Sequence, residues 1–410
     1  MPGILFLAHR VPFPPDRGDR IRSHHLLKAL ARLGPVHVGC FGEGDAQAEQ
    51  ALAALATSQC VAPRTKPLPL AGVEAVLAGK PVSLTAFRSG KLARWVRETI
   101  AREGIDAIVV FSGQMGQYVP EEFAGPVAID LCDVDSAKFE AYAAAGERKW
   151  IYAREARLLA REEERLGQRA DATILISEAE AALYRSRLAA PDAVNVQVIG
   201  NGIDAAFFDP ALAASHPELA ATAGPHFVFT GQMDYRPNEQ AALWVIEALL
   251  PQLRARMPQA MFHVVGRNPT RALMTQDGAP GVRVWGAVPD VRPFLAAADA
   301  VLAPLLIARG VQNKVLEAMA MARPVVLTPE AATGIAAEDG THWLVSPPEA
   351  QAMAARIATL LADPVAAREI GTAARRFVLA QHGWEAMLAP LGRLIGPDPQ
   401  TRGEGQRHAA

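Results

Sequence analysis

Between residues 307 and 326 the chain reads IARGVQNKVLEAMAMARPVV. An apolar strand from Val301 to Ile307, broken by Pro304, runs into Arg309-Gly310, and a helix rich in Ala, Met and Leu begins near Gln312. Asn313, Lys314 and Glu317 fall in the first turns of that helix, although the rest of it is composed as core. A strand-to-helix junction lies at the carboxyl edge of a parallel sheet, where open α/β folds bind ligands. Backbone N–H groups at a helix start favour an anion, and the helix dipole adds to the preference. Amides around Gln312 and Asn313 can therefore face an anion, with Lys314 adding positive charge. The Glu317 carboxylate, one turn further on, can accept hydrogen bonds from a bound ligand. The bland alternative is an ordinary surface pair between Lys314 and Glu317.

Other stretches carry the same kind of chemistry. After the strand ILFLA comes HRVPFPPDRGDRIRSHH, in which Gly18-Asp19-Arg20 precedes a helix. A glycine there lets backbone approach a ligand, and Arg20 or Arg22 can meet a phosphate, unless this is a plain loop with a capping Asp. IDLCDVDSAKFEAY, residues 129–142, contains Asp133 and Asp135. Two carboxylates so spaced can hold a divalent metal, but no other ligand cluster accompanies them, so no metal is expected. Asp135 or Ser136 is expected to cap the following helix, and Asp133 to face the site. VFTGQMDYRPNEQAALWVIEAL, residues 228–249, runs from a strand through Gly231 and a polar loop into a helix. Arg236 carries the full positive charge of that loop and is the natural phosphate contact. FHVVGRNP repeats the strand-then-glycine pattern at Gly266.

These loops need strands and helices to place them. GILFLA, VHVGCF, AIVVF, PVAIDL and ATILIS are expected as parallel strands of a first unit. HFVFTG, MFHVVG, VRVWG, AVLAPLL, RPVVLT and HWLV are expected as those of a second. Their alternation with helix-length segments predicts α/β architecture: two Rossmann-like, doubly wound domains facing across a cleft. The first domain is expected over 1–205 and the second over 206–396, with a last helix that can pack back on the first domain. Residues 397–410 are expected to be a disordered tail. The segment from GNGIDAAFFDP to AATAGP, low in periodicity, is taken as the linker. Residues 145–169 predict a long charged helix with a solvated face, including Arg161–Glu164 and Glu162–Arg165 pairs. With 410 residues, half of them apolar and a fifth charged, the chain has material for two cores. A net charge of −2 gives no reason to expect nucleic acid. Three cysteines without paired or metal-like spacing fit a reducing compartment, and no segment is composed to span a membrane. The expected location is the cytoplasm.

In order, VFTGQMDYRPN, VVGRNP, VWGAVPDVRPFLAAADAVLAPL and GVQNKVLEAMAMARPVV resemble the C-terminal half of glycosyltransferase family 4. GNGIDAAFFDP is similar to that family's hinge and PPDRGDRIRSHHLLKAL to its N-terminal loop, so the resemblance extends to about residue 390. The combination with IDLCDVDS looks most like the sugar transferases associated with the exosortase A (PEP-CTERM) system of bacteria. The resemblance implies a GT-B fold, with the acceptor side on the first domain and the nucleotide sugar bound by the second, and retaining transfer, without a cofactor or bound metal, from a nucleotide-sugar donor to a saccharide or lipid-linked saccharide acceptor. It implies exopolysaccharide assembly, with peripheral association at the inner face of the cytoplasmic membrane. Residue by residue, Glu317 matches the second glutamate of the family's Glu-x7-Glu motif, which binds the donor ribose. Arg309 stands where the first glutamate would be, Gln232 replaces the usual Arg, and Pro237 stands at the usual Lys position. The expected site is therefore Asp133, Arg236 and Lys314 for catalysis. Gly18, Arg20, Gly231, Gly266, Arg309, Gly310, Gln312, Asn313 and Glu317 are expected to bind the nucleotide sugar. Two rival readings are a nucleotide-sugar epimerase of the same fold and a catalytically silent nucleotide-binding partner protein.

Overall fold

A run such as GILFLA has no polar face to turn to water and needs cover on both sides. In the computed structural model, which describes residues 3–15, 18–64, 66–145, 149–308 and 311–396, that run forms β1 (Gly3–Ala8), buried throughout. With it stand β2 (Val36–Gly42), β3 (Ser58–Pro63), β4 (Ile105–Phe111), β5 (Val127–Cys132), β6 (Ala172–Leu175) and β7 (Val196–Val198). All pair in parallel, in the order β3-β2-β1-β4-β5-β6-β7. A second parallel sheet holds β8 (His226–Thr230), β9 (Met261–Val265), β10 (Val282–Gly286), β11 (Ala300–Ala303), β12 (Val325–Leu327) and β13 (Leu344–Val345). Its order is β10-β9-β8-β11-β12-β13. One unit runs to Asn201 and resumes at Met387; the other spans Gly202–Ala386. The helix Leu391–Ile395 packs on β4 and β5. The expected tail, 397–410, lies outside the described residues.

Each sheet reverses its strand order once, at β1/β4 and at β8/β11. Chains leaving neighbouring strands at such a point part to opposite faces and leave a crevice at the carboxyl ends. This places the loops after β1 and β4 in one unit, and after β8 and β11 in the other, where a ligand can be met.

Three local expectations need correction. β11 ends at Ala303 instead of continuing to Ile307. Pro304 has no N–H to offer a ladder, the Leu305 carbonyl is taken by the Thr328 hydroxyl, and Leu306 and Ile307 are exposed. β3 and β7 are absent from the pattern reading because SQCVAP is partly polar and VQV is only three residues. The charged helix, Lys149–Arg169, forms the Glu162–Arg165 pair at 2.6 Å, but its charge is not all solvated. Glu155 and Glu163 are buried. Glu155 accepts from the Val82 and Ser83 amides and the Ser83 hydroxyl, capping the helix Val82–Ala86. Glu163 accepts from the Ser136 amide at 2.9 Å and its hydroxyl at 2.5 Å, at the head of the helix Asp135–Ala145.

Burial pushes the Glu163 carboxyl up to about 7 against the pull of the Ser136 bonds, with Asp135 adding to the rise. An unfolded glutamate gives up its proton near the ordinary value of 4.5, while the folded one keeps it to about 7. Across that window the folded state binds more protons, so this group makes stability fall as pH rises. Glu163→Gln should abolish that slope, gaining about 2–3 kcal/mol relative to wild type between pH 5 and 8, at about 1.4 kcal/mol per pKa unit. Urea unfolding of both proteins at a series of pH values checks this; parallel curves would show Glu163 ionises normally.

Candidate active site

β8 delivers the chain to Gly231, whose φ of +156° suits glycine. The Gly231 amide bonds the Val265 carbonyl at 3.1 Å and the Met233 amide bonds Arg267 at 2.8 Å, so the loops after β8 and β9 are zipped together. That closeness explains Gly266: a Cβ there would lie 1.6 Å from the Gly231 carbonyl oxygen. Gly266 thus has a packing role in shaping the turn. A Cβ on Gly231 would itself meet Asn238 Nδ2 at 2.9 Å and Lys314 Nζ at 3.3 Å.

Asn238 is the residue no sequence pattern singles out. It lies in the helix Arg236–Trp244, is 6% exposed, and donates Nδ2 to the Gln232 carbonyl at 2.9 Å. Its Oδ1 accepts from the Lys314 ammonium. Lys314 comes from the helix Asn313–Ala320, which follows β11, the neighbour of β8 across the switch. Its Nζ stands 4.7 Å over the Phe229 ring centroid. Burial pulls the ammonium down to about 8, against the pull of Glu317, and burial pushes the Glu317 carboxyl up, against Lys314. In both cases desolvation outweighs the mutual attraction. The two residues are therefore not a solvated surface pair: the hydrogen bond of Lys314 crosses to the β8 turn. No donor to the Glu317 carboxylate is found among the described residues. A half-buried acceptor and a half-buried cation, three residues apart on one helix, can receive a diol and an anion.

The remaining predicted residues distribute unevenly. Gln312 is the N-cap, and the helix's own bonding begins with the Val315 amide to the Gln312 carbonyl at 2.9 Å. Asn313 is exposed beside it. Arg236 opens its helix with an exposed side chain. Arg309 and Gly310 lie outside the described residues. In the other unit, Gly18 begins the helix Gly18–Leu33, with open space where its Cβ would be. Arg20 lines a small pocket with His9, Arg10, Glu43 and Arg64 at the carboxyl ends of β1–β3. His9, stacked on Phe111 at 5.4 Å and 3.3 Å from Asp19, is a second polar residue there that no motif announced.

Arg22, named with Arg20 as a phosphate contact, has another role. It is 2% exposed and bonds Asp130 at 2.8 Å, the Ile199 and Gly200 carbonyls at 2.8 and 3.1 Å, and Asn201 Oδ1 at 3.0 Å. Those bonds fasten β5 and the chain leaving β7 to the first helix. Asp133 is exposed, and its carboxyl is pushed up by partial desolvation and then by Glu180 and Asp135. Ser136 does not cap its own helix; Glu163 supplies the acceptor, and the Val134 amide is held by Glu180 at 2.8 Å. Among the described residues, no three His, Cys, Asp or Glu side chains are grouped as a metal site.

Solved structures align over nearly the whole chain. Sucrose-phosphate synthase from Thermosynechococcus elongatus covers 96% of it and is itself covered to 98%, with a TM-score of 0.56 at 20% identity. HepE from Anabaena in complex with UDP-glucose covers 95%, is covered to 98%, and gives 0.56 at 16% identity. The fold is GT-B. Within this GT-B chain, residues 224–363 match the family described as glycosyl transferases group 1, and that segment contains Gly231, Asn238, Lys314 and Glu317. A curated relative, the phosphatidyl-myo-inositol mannosyltransferase of Mycolicibacterium smegmatis, is 30% identical over 203 residues, 48% of this chain. The chain spans about half the length of that relative, 50% of it being matched.

Charge-assisted hydrogen bonds contribute about 1.5–3 kcal/mol each. Glu317→Ala and Lys314→Ala should therefore each weaken binding of a nucleoside diphosphate by about 10- to 150-fold. Asn238→Asp should also weaken it, because a carboxylate on Lys314 competes with the phosphate. Calorimetric titration of the folded variants checks all three; unchanged affinity in any of them removes that residue from the site.

Proposed function

We propose that the protein is a retaining glycosyltransferase. It would take a sugar from a nucleotide diphosphate sugar and pass it to a saccharide or lipid-linked saccharide acceptor in bacterial exopolysaccharide assembly. The observation that carries the reading is the Lys314 ammonium fixed at the Gly231 turn, with the undonated Glu317 carboxylate beside it. The group 1 match over the same residues supports it, as does the full-chain likeness to a GT-B protein whose structure holds UDP-glucose. The exopolysaccharide assignment rests on the likeness of PFPPDRGDRIR, IDLCDVDS and RGVQNKVLEAMA to exosortase-associated sugar transferases.

In this reading the donor diphosphate meets Lys314, beside the Gly231 turn, and the amides at the helix start around Asn313. Glu317 accepts from the ribose hydroxyls. When the bond from the anomeric carbon to the phosphate oxygen breaks, negative charge grows on the leaving diphosphate. A cation already desolvated and aimed there needs no reorganisation to stabilise it. The acceptor hydroxyl adds to the same face of the sugar, and its proton leaves with the diphosphate oxygen. Arg236, exposed at its helix head, would add a second cation, while Arg309 would meet the sugar or a carboxylate on it. Asp133, in the loop after β5, is the further catalytic carboxylate of this reading.

A panel of neutral and acidic nucleotide sugars, assayed with and without EDTA, tests this. Turnover is expected to survive the chelator, to require an acceptor for sugar transfer, and to fall for every donor in Lys314→Ala. Arg309→Ala should lose most with a uronic acid donor. Donor conversion to an isomeric sugar nucleotide with no acceptor present would make the protein an epimerase. Nucleotide binding without any turnover would make it a silent partner.

A further inference from the structure

A surface helix normally turns its large apolar side chains inward and its small or polar ones outward. The helix Leu68–Leu77, of sequence LPLAGVEAVL, does the reverse. Its buried residues are Ala71 and Ala75. Leu68, Leu70, Val73, Val76 and Leu77 are all more than half exposed, Leu77 to 84%. The arrangement is held by polar ties on the inner side. The Thr85 hydroxyl donates to the Ala71 carbonyl at 2.9 Å, Arg154 donates to that of Ala75 at 2.9 Å, and Glu74 is clamped by Lys66 at 2.7 Å and Arg88 at 2.8 Å. Arg154 lies one turn beyond Trp150, which is itself 74% exposed. An apolar face fixed outward in this way marks a contact surface.

We propose that the helix Leu68–Leu77 docks the protein on an anionic lipid membrane. Charge selects this occupant. Between Arg64 and Lys91 the chain carries five basic residues (Arg64, Lys66, Lys80, Arg88, Lys91) and one acidic residue, Glu74, whereas the whole chain is at −2. Arg64, Lys80, Arg88 and Lys91, which flank the helix in sequence, are exposed. A large apolar face flanked by cations is the composition of a helix lying in the headgroup region, where anionic lipids meet the cations and acyl chains meet the leucines. Ten residues cannot cross a bilayer, and no helix among the described residues is long and apolar enough to do so. A second copy on the same face would bring two such positive patches together. The stretch PDPQTRGEGQRHAA, 397–410, has no large apolar side chain to cover it. Arg64, four residues before the helix, lines the basic pocket at the carboxyl ends of β1–β3. That pocket would be brought to the lipid surface, which rests on the transferase reading only for why a lipid-borne acceptor would be sought there.

Flotation of the full chain with vesicles tests the proposal without any turnover, so its failure and that of the transferase reading are separable. Wild type is expected to float with phosphatidylcholine vesicles containing about a third phosphatidylglycerol. With pure phosphatidylcholine, or in high salt, the floated fraction should fall at least tenfold. Val73→Glu with Leu77→Glu, both at exposed positions, should keep the thermal midpoint and lose at least tenfold in floated protein. A milder pair, Val73→Ser with Leu77→Ser, serves if the first is misfolded. Wild type that stays in the soluble fraction, or variants that float equally, would overturn the proposal. So would wild type that sediments as a dimer split by the same substitutions without binding vesicles.

Discussion

A half-buried, partly desolvated ammonium governs the second unit's ligand-facing edge. Taking a lysine out of water is unfavourable by several kcal/mol unless partners replace the lost hydration. Lys314 has the Asn238 carbonyl, the Phe229 ring face and the nearby Glu317 charge. A ring face adds about 0.5–2 kcal/mol, and the remaining deficit shows as the fall of the ammonium to about 8. Much of the local sequence follows from housing this group. Gly231 leaves room for Nζ, Gly266 leaves room for the Gly231 carbonyl, and Asn238 ties the turn to the lysine. The strand switch at β8/β11 lets a helix after one strand reach the turn after its neighbour. A cation incompletely compensated by protein is a cation prepared for an anion.

The first unit uses buried charge differently. Arg22 commits four of its five N–H donors to Asp130, Asn201 and two carbonyls, and its burial closes it to a ligand. Glu155 and Glu163 are likewise spent on helix heads. These groups fix where β5, β7 and the 133–136 loop leave the sheet, and removing one partner of such a set leaves a costly buried charge. Arg10, Arg20 and Arg64 line a pocket there with Glu43.

Fold class was legible because two runs of apolar, strand-length segments alternate with helices, and order alone distinguishes parallel layers from hairpins. The stretch 312–317 was legible as chemistry because charged and amide residues interrupt a core-like helix at its start. What could not be read was partnership at long range. Nothing local marks Asn238, sitting after Pro237 in an ordinary helix head, as the acceptor for a lysine 76 residues away. Arg20 and Arg22 look equivalent in GDRIRS, yet two residues on a helix separate an edge position from the interior. The Lys149–Arg169 helix reads as solvated because periodicity does not reveal that two of its carboxylates meet unsatisfied amides. Gly266 resembles Gly231 in sequence and differs in cause, since only the fold brings one backbone against the other.

The central claim is that the Lys314 ammonium meets the donor diphosphate, and its depressed proton affinity makes this measurable as protons. A diphosphate beside Nζ raises its affinity for a proton, so binding above pH 8 must draw one from solution. Calorimetry of nucleoside diphosphate binding at pH 8.5, in two buffers of different ionisation enthalpy, reports that number. The account predicts uptake of about half a proton or more by wild type, given an ammonium that titrates near 8 when free. Lys314→Ala should take up none. Binding with no uptake by wild type, or with the same uptake in the variant, would contradict it.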